Sequence, residues 1–89
     1  MTDNMQAVIN DGRKATELEN NEIYQRAFET FEVQCFDLWK RTTDPIERNR
    51  LWEAINTAAQ VKTIIGMIAA NGRVAEKELE TLLARQKAA

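Results

Sequence analysis

The sequence predicts an all-α protein: a long antiparallel helical hairpin with a short N-terminal helical lead-in and a C-terminal third helix. Glycine and proline are scarce, with three glycines and one proline in 89 residues, which favours long helices and short connections. Apolar residues recur at steps of three and four over two long segments, which is the spacing of a stripe on one helix face. Between these segments lies Asp44-Pro45, a pair typical of a helix start.

Residues 1–89 are predicted to form a single domain, because a chain of this length holds at most one core. Residues 1–20 form the lead-in. Within it, Asn10-Asp11-Gly12 is predicted to end a first helical segment, since glycine tolerates the left-handed conformation found at helix ends. Asn20-Asn21 marks the next boundary, because asparagine is a favoured N-cap.

The first long helix is predicted over residues 22–43. Its apolar stripe follows steps of four, three, four and three residues, and Trp39 widens the stripe at its end. Val33 and Phe36 lie to one side, on a second and narrower face. The predicted inward stripe consists of Tyr24, Phe28, Phe31, Cys35 and Leu38, widened at its start by Ile23 and Ala27.

The second helix is predicted over residues 45–71. Asp44 should cap it, Pro45 occupies the first helical position where its missing N–H costs nothing, and Glu47 stands where a capping box requires an acid. Asn71-Gly72 is predicted to stop the helix. The inward stripe consists of Leu51, Ala54, Ala58, Val61, Ile65 and Ile68, with Trp52, Ile55 and Ala59 beside it.

A third helix is predicted over residues 74–88, with glutamates early and basic residues late, as the helix dipole favours. Gly66 costs about 1 kcal/mol relative to alanine in mid-helix, so we expect it to allow another helix to approach closely. If the hairpin turns near residues 43–44, the numbers of facing residues sum to roughly 87, and large residues of one helix meet small ones of the other.

The residues present no catalytic constellation. Histidine is absent, which removes the commonest general base and the commonest transition-metal ligand. Cys35 lies within an apolar stripe, so we expect a buried small hydrophobe and not a nucleophile. No glycine-rich phosphate loop, zinc-ligand pattern or serine triad signature occurs. We therefore expect no enzyme, no cofactor, no metal and no small-molecule substrate.

The single cysteine cannot form an intramolecular disulfide, and the sequence shows no signal peptide and no apolar run of transmembrane length. These observations predict an intracellular site of synthesis and no membrane partner. The formal net charge of −2 argues against a strong general attraction to nucleic acid.

Two surfaces are candidates for binding a protein partner. Val33, Phe36 and the edge from Ile64 to Met67 have no obvious partner among three helices, so we interpret them as a subunit or partner interface.

The second candidate is the hairpin corner, where residues 38–50 carry a net charge of +2 and residues 1–37 carry −5. Its basic residues either grip phosphate or an acidic partner, or Arg48 and Arg50 pair locally with neighbouring acids. We expect the two tryptophans beside them in the hairpin core, not in a base-stacking platform. The basic residues are Lys40, Arg41, Arg48 and Arg50.

Several short elements follow one another along the chain. They are Asp11-Gly12-Arg13 with Ala15, the aromatic helix from Phe28 to Trp39, Thr42, the run Arg48-Asn49-Arg50-Leu51-Trp52, and Asn71-Gly72-Arg73 with Ala75. In this order they resemble a group of small all-helical proteins encoded among the virion genes of tailed bacteriophages, usually near the portal and capsid genes.

The resemblance extends from about Ile9 to Leu83 and departs at Leu18-Glu19-Asn20-Asn21, where a leucine pair is expected. It implies a phage setting, with the protein in the host cytoplasm during infection or assembled into the virion. It also implies a non-enzymatic role, and it names no site.

Two functional hypotheses follow. The first is a virion structural or assembly accessory protein, which self-associates or binds capsid or portal proteins through its helix faces. The second is a regulator or inhibitor that binds a host protein or nucleic acid through the basic corner. A helix-turn-helix interpretation of Arg41 to Trp52 is weak, because that motif requires a short first helix and a tight turn.

Overall fold

Three α-helices account for almost all of residues 2–88, the part of the chain that the computed structural model describes. They are α1 (Thr2–Glu19), α2 (Glu22–Arg41) and α3 (Pro45–Ala88). These described residues contain no strand, so the all-α prediction is confirmed. The helices form two compact units. One combines α1 with α3 from residue 65 onward, and the other comprises residues 20–64.

The start of α2 is set by Asn21, at the predicted boundary. Its side-chain oxygen accepts hydrogen bonds from the backbone N–H groups of Ile23 and Tyr24, at 2.9 and 3.0 Å. Two of the N–H groups that have no partner within the helix are thereby satisfied. The helix ends at Arg41, two residues before the predicted end, and Thr42 is already extended.

The corner before α3 is capped by Asp44. Its backbone carbonyl accepts from Arg48 N–H at 3.0 Å, and its carboxylate accepts from Ile46 N–H at 3.3 Å. Glu47, predicted to complete a capping box, instead pairs with Arg50 at 3.1 Å. The helix therefore begins where predicted, with a looser cap than the one at Asn21.

Within residues 20–64, α2 and the first part of α3 form the predicted antiparallel hairpin. Arg48 lies over the Trp39 ring and Lys62 lies over the Phe28 ring, at 3.9 and 5.8 Å from the ring centroids. The numbers of these two pairs sum to 87 and 90, close to the predicted register. The inward side of α3 is half-buried at Leu51, Ala54, Ile55 and Ala58.

The predicted inward stripes are only partly inward. Cys35 is buried as expected, at 6% exposure, whereas Phe31, Leu38 and Val61 remain 41%, 50% and 42% exposed. The apolar residues of both helices occupy more than one face, and each helix covers only one side of the other. The placement of these three side chains in the core was therefore wrong.

The other unit is organised by Gly12 of α1 and Gly72 of α3. A Cβ atom built on Gly12 would lie 2.5 Å from the Gly72 Cα, and one built on Gly72 would lie 2.5 Å from the Gly12 Cα. The two backbones are thus in direct contact. The helices run antiparallel there, since Glu19, beyond Gly12 in α1, lies beside Gly66, which precedes Gly72 in α3.

The predicted helix ends at Gly12 and Gly72 were wrong. The lead-in is one 18-residue helix, and the predicted helices 45–71 and 74–88 are a single helix of 44 residues. No glycine in the described chain has a positive φ. Glycine serves here to let two helix backbones meet, which a side chain would prevent, and not to end a helix.

The burial pattern of α1 recurs in α3 sixty residues later. Buried or half-buried positions fall at 5, 9, 12, 15, 16 and 19 in α1. In α3 from residue 65 onward they fall at 65, 69, 72, 75, 76 and 79, with 66 in addition. The four-three spacing is that of two helices packed along a common seam. Across this seam Arg13 pairs with Glu76 at 2.6 Å.

Gly66 does not lie at the closest approach, contrary to the prediction. The nearest atom to a Cβ built there is a carboxylate oxygen of Glu19 at 3.4 Å, an ordinary contact with the end of a flexible side chain.

Candidate interaction surfaces

The basic corner of the hairpin is built around Trp39. The Arg48 guanidinium lies 3.9 Å from the centre of its ring, a cation–π contact. Phe36 meets Trp39 edge-on, with ring centroids 6.5 Å apart and planes at 76°. All three side chains are half-buried. Arg48 therefore helps to cover the hairpin end, and Trp39 belongs to the hairpin core as expected.

The other predicted basic residues of the corner are exposed. Arg50 pairs with Glu47 at 3.1 Å, as the local-pairing interpretation predicts, and a surface pair of this kind contributes less than about 1 kcal/mol. The Arg41 Nε donates to the Asp37 backbone carbonyl at 3.2 Å. Lys40 lies exposed in the last turn of α2. The guanidinium groups of Arg50 and Arg41 are thus already bound to neighbouring groups of the same chain.

Trp52 has a different environment from Trp39. It is 47% exposed, so its placement in the hairpin core was wrong. It borders an open groove of about 700 Å³ beside Trp39 and Arg48. A groove lined by aromatic rings and a guanidinium can bind an apolar or acidic side chain of a protein partner.

The predicted apolar interface residues are largely solvent-accessible. Val33, Ile64 and Met67 are 54%, 56% and 58% exposed, whereas Phe36 is half-buried and contacts Trp39. Val33 and Ile64 belong to the hairpin unit, and Met67 belongs to the unit that contains α1.

A more continuous apolar surface runs along α2. Ile23 and Leu38 are 64% and 50% exposed, and Phe31 between them borders a shallow groove of about 280 Å³ with Ile23 and Ala27. Sequence reasoning assigned these residues to the inward stripe. The missed signal is the width of the apolar pattern on α2, which exceeds what one partner helix can cover.

The unit that contains α1 also has an apolar groove, of about 470 Å³. It lies between Met5 of α1 and the last turns of α3, where Val74 and Leu82 are 59% and 45% exposed. Lys77 and Arg85 border it with their charged side chains. Both units thus present apolar surface rimmed by polar groups.

The described core is small. The buried hydrophobic residues are Ile9, Ala15, Cys35, Ala69 and Ala75, of which only Ile9 has a large side chain. Burial of a large aliphatic side chain contributes about 1.5–3 kcal/mol, so alanines and one isoleucine make a weak core. Large apolar side chains are instead half-buried or exposed, which is typical of chains that bury further surface on association.

The described residues hold no group of three or more potential metal ligands. None of the described helices is long and apolar enough to span a membrane.

Fold and surface together define a class: a small all-α protein in which two antiparallel helix pairs bury little and expose apolar helix faces. Comparison with protein families, with curated proteins and with solved structures found no match to this chain.

Proposed function

We propose that the protein is a non-enzymatic phage protein that acts by protein–protein contacts, as a structural or assembly component of the virion. The observation that carries the proposal is the distribution of apolar side chains. Fifteen large hydrophobic residues are exposed among the described residues, whereas only Ile9 among the large ones is fully buried. A helix face of this kind is stabilised by packing against another protein.

The phage setting rests on the resemblance of the sequence elements. Two of these elements, Asp11-Gly12-Arg13 and Asn71-Gly72-Arg73, contain the glycines at the closest helix contact. The proposed role places the protein in the host cytoplasm during infection, or in the assembled particle, with itself, capsid or portal proteins as partners.

A role as regulator or inhibitor through the basic corner has less support. Arg48 is half-buried on Trp39, and Arg50 is paired with Glu47. An arginine that already has a partner must lose it before it can bind phosphate, so its contribution to nucleic-acid binding is reduced. Replacement of Arg48 and Arg50 by alanine should leave partner capture unchanged, whereas the regulatory role requires a salt-sensitive complex that this change weakens.

Native mass spectrometry of the purified protein, alone and mixed with purified capsid and portal proteins, tests the proposal. We expect a homo-oligomer, a complex with a virion protein, or both. A monomer that also binds no virion protein would contradict it.

A further inference from the structure

An exposed stripe runs along α2 beside its inward face. It contains two large aliphatic residues near its ends and an aromatic residue near its middle. We call it the outer stripe, which consists of Ile23, Ala27, Thr30, Phe31, Gln34 and Leu38, all exposed to solvent. Successive members are four, three, one, three and four residues apart, so they share one side of the helix.

This spacing is the same from either end. The centre falls between Thr30 and Phe31, and the residues at equal distance from it are Ile23 with Leu38 and Ala27 with Gln34. Two copies of such a helix can pack antiparallel with their stripe centres aligned. Each residue then lies opposite the residue at the same distance on the other side of the centre. The large apolar Ile23 of one copy would then meet Leu38 of the other at both ends, which is the self-complementarity that a two-fold interface requires.

Charged residues beside the outer stripe follow the same symmetry. Arg26 and Asp37 are both exposed and lie eleven residues apart, close to three helical turns, so they flank the same edge of the stripe. In the antiparallel pair, Arg26 of one copy lies level with Asp37 of the other to within two residues, or about 3 Å along the axis. An arginine side chain spans this offset. Two opposite-charge contacts therefore form in each dimer.

The size of the face indicates the strength of the contact. The outer stripe runs along α2 for roughly 30 Å and covers one side of a helix about 10 Å wide, which gives about 300 Å². A standard interface buries about 800 Å² on each partner, so the stripe supports a weak dimer. Among the described residues of the unit 20–64, only Cys35 is buried, and a hairpin with so small a core gains stability from a second layer of helices.

We propose that the outer stripe of α2 is a homodimer interface, in which two copies of α2 pack antiparallel and Arg26 of each copy pairs with Asp37 of the other. The inference rests on the proposed function, since it names one partner and the face that binds it.

A charge-exchange experiment tests this geometry. Arg26→Glu and Asp37→Arg each place two like-charge pairs in the dimer, and each should raise the dissociation constant about tenfold in sedimentation equilibrium. An equimolar mixture of the two variants restores both opposite-charge contacts in the heterodimer. It should therefore associate about as tightly as the unchanged protein. A mixture that associates no better than either variant alone would overturn the proposed pairing.

Leu38→Glu buries a charge in the same interface and should weaken the dimer by about a hundredfold. Glu29→Lys is the control, because Glu29 is exposed and lies nine residues, or about two and a half turns, before Leu38 on the opposite side of the helix, and it should leave the dimer unchanged. Circular dichroism at each concentration shows that both variants keep their helices. A dimer that Leu38→Glu leaves intact, or that Glu29→Lys weakens as strongly as Leu38→Glu, would overturn the inference.

Different results would contradict the dimer and the assembly role. A protein that stays monomeric but binds a capsid or portal protein overturns the dimer and leaves the assembly role standing. A dimer that responds to the charge exchange but binds no virion protein supports the dimer and counts against the assembly role.

Discussion

The two compact units hold their helices together by different means. In the unit that contains α1, glycine faces glycine, and the helices meet backbone to backbone at Gly12 and Gly72. In the hairpin of residues 20–64, aromatic rings fill the space between the helices, with Trp39 and Phe28 lying under the cationic ends of Arg48 and Lys62. Close packing of small residues tolerates no added atom, whereas packing of flexible side chains adjusts to change.

Glycine therefore has opposite effects on stability at different positions of this chain. Where another helix backbone lies in contact, glycine is required because any side chain would force the two backbones apart. A glycine in mid-helix without such a partner only lowers helix stability. Gly72 is of the first kind and Gly66 is of the second.

The largest expected effect comes from the glycine contact. Gly72→Leu places a branched side chain where even a Cβ would lie 2.5 Å from the Gly12 Cα. The helices must separate, and the free energy of unfolding should fall by about 3 kcal/mol or more. Thermal denaturation followed by circular dichroism measures the loss.

Gly66→Ala is the control for that change. Its Cβ meets only the Glu19 carboxylate at 3.4 Å, and alanine favours the helix by about 1 kcal/mol over glycine. This variant should therefore be more stable than the unchanged protein. Equal destabilisation by both substitutions would show that the helix contact is wrongly placed.

An intermediate effect is expected at the hairpin corner. Trp39→Ala removes a half-buried ring that contacts Phe36 and Arg48. It should cost about 2 kcal/mol, below the 3–5 kcal/mol of a fully buried aromatic residue. Trp52→Ala, at a ring 47% exposed, should cost less than half as much in urea denaturation. If the two tryptophans prove equivalent, Trp39 is not the centre of this corner.

The smallest effect concerns the helix caps. Asn21→Ala removes an acceptor for two backbone N–H groups, at 2.9 and 3.0 Å, and should cost about 1 kcal/mol. Asp44→Ala removes one longer bond of 3.3 Å and should cost less. Urea denaturation of the two variants measures the difference. A larger loss for Asp44→Ala would reverse the order of strength that the cap geometry predicts.

The parts of the fold that were predictable from sequence depend on local chemistry. Asn21 and Asp44-Pro45 act within one helical turn, so their helix starts follow from neighbouring residues alone. The role of Gly12 and Gly72 depends on a partner sixty residues away in sequence, and local rules describe them as helix ends. The repeat of Gly-Arg-x-Ala at residues 12–15 and 72–75 is the signal that could have linked them.

Some features of the candidate surfaces were also predictable from neighbouring residues, and others were not. The positions of the basic residues follow from their place at the corner, and the ion pair of Arg50 follows from its three-residue separation from Glu47. The exposure of Leu38 does not follow in this way. Steps of three and four residues describe two neighbouring stripes on α2 equally well, and only the direction of the partner helix decides which stripe is inward.

The outer stripe of α2 is the surface through which two copies of the protein associate. Disulfide formation between copies that carry a single exposed cysteine tests it most directly. Thr30→Cys lies at the centre of the stripe, so in an antiparallel pair the two thiols meet. The control is Glu29→Cys, at an exposed position on the opposite side of α2 from Leu38, with Cys35→Ala as the background of both. We expect rapid formation of disulfide-linked dimers for Thr30→Cys and slow formation for Glu29→Cys, and equal rates at the two positions would contradict association through the outer stripe.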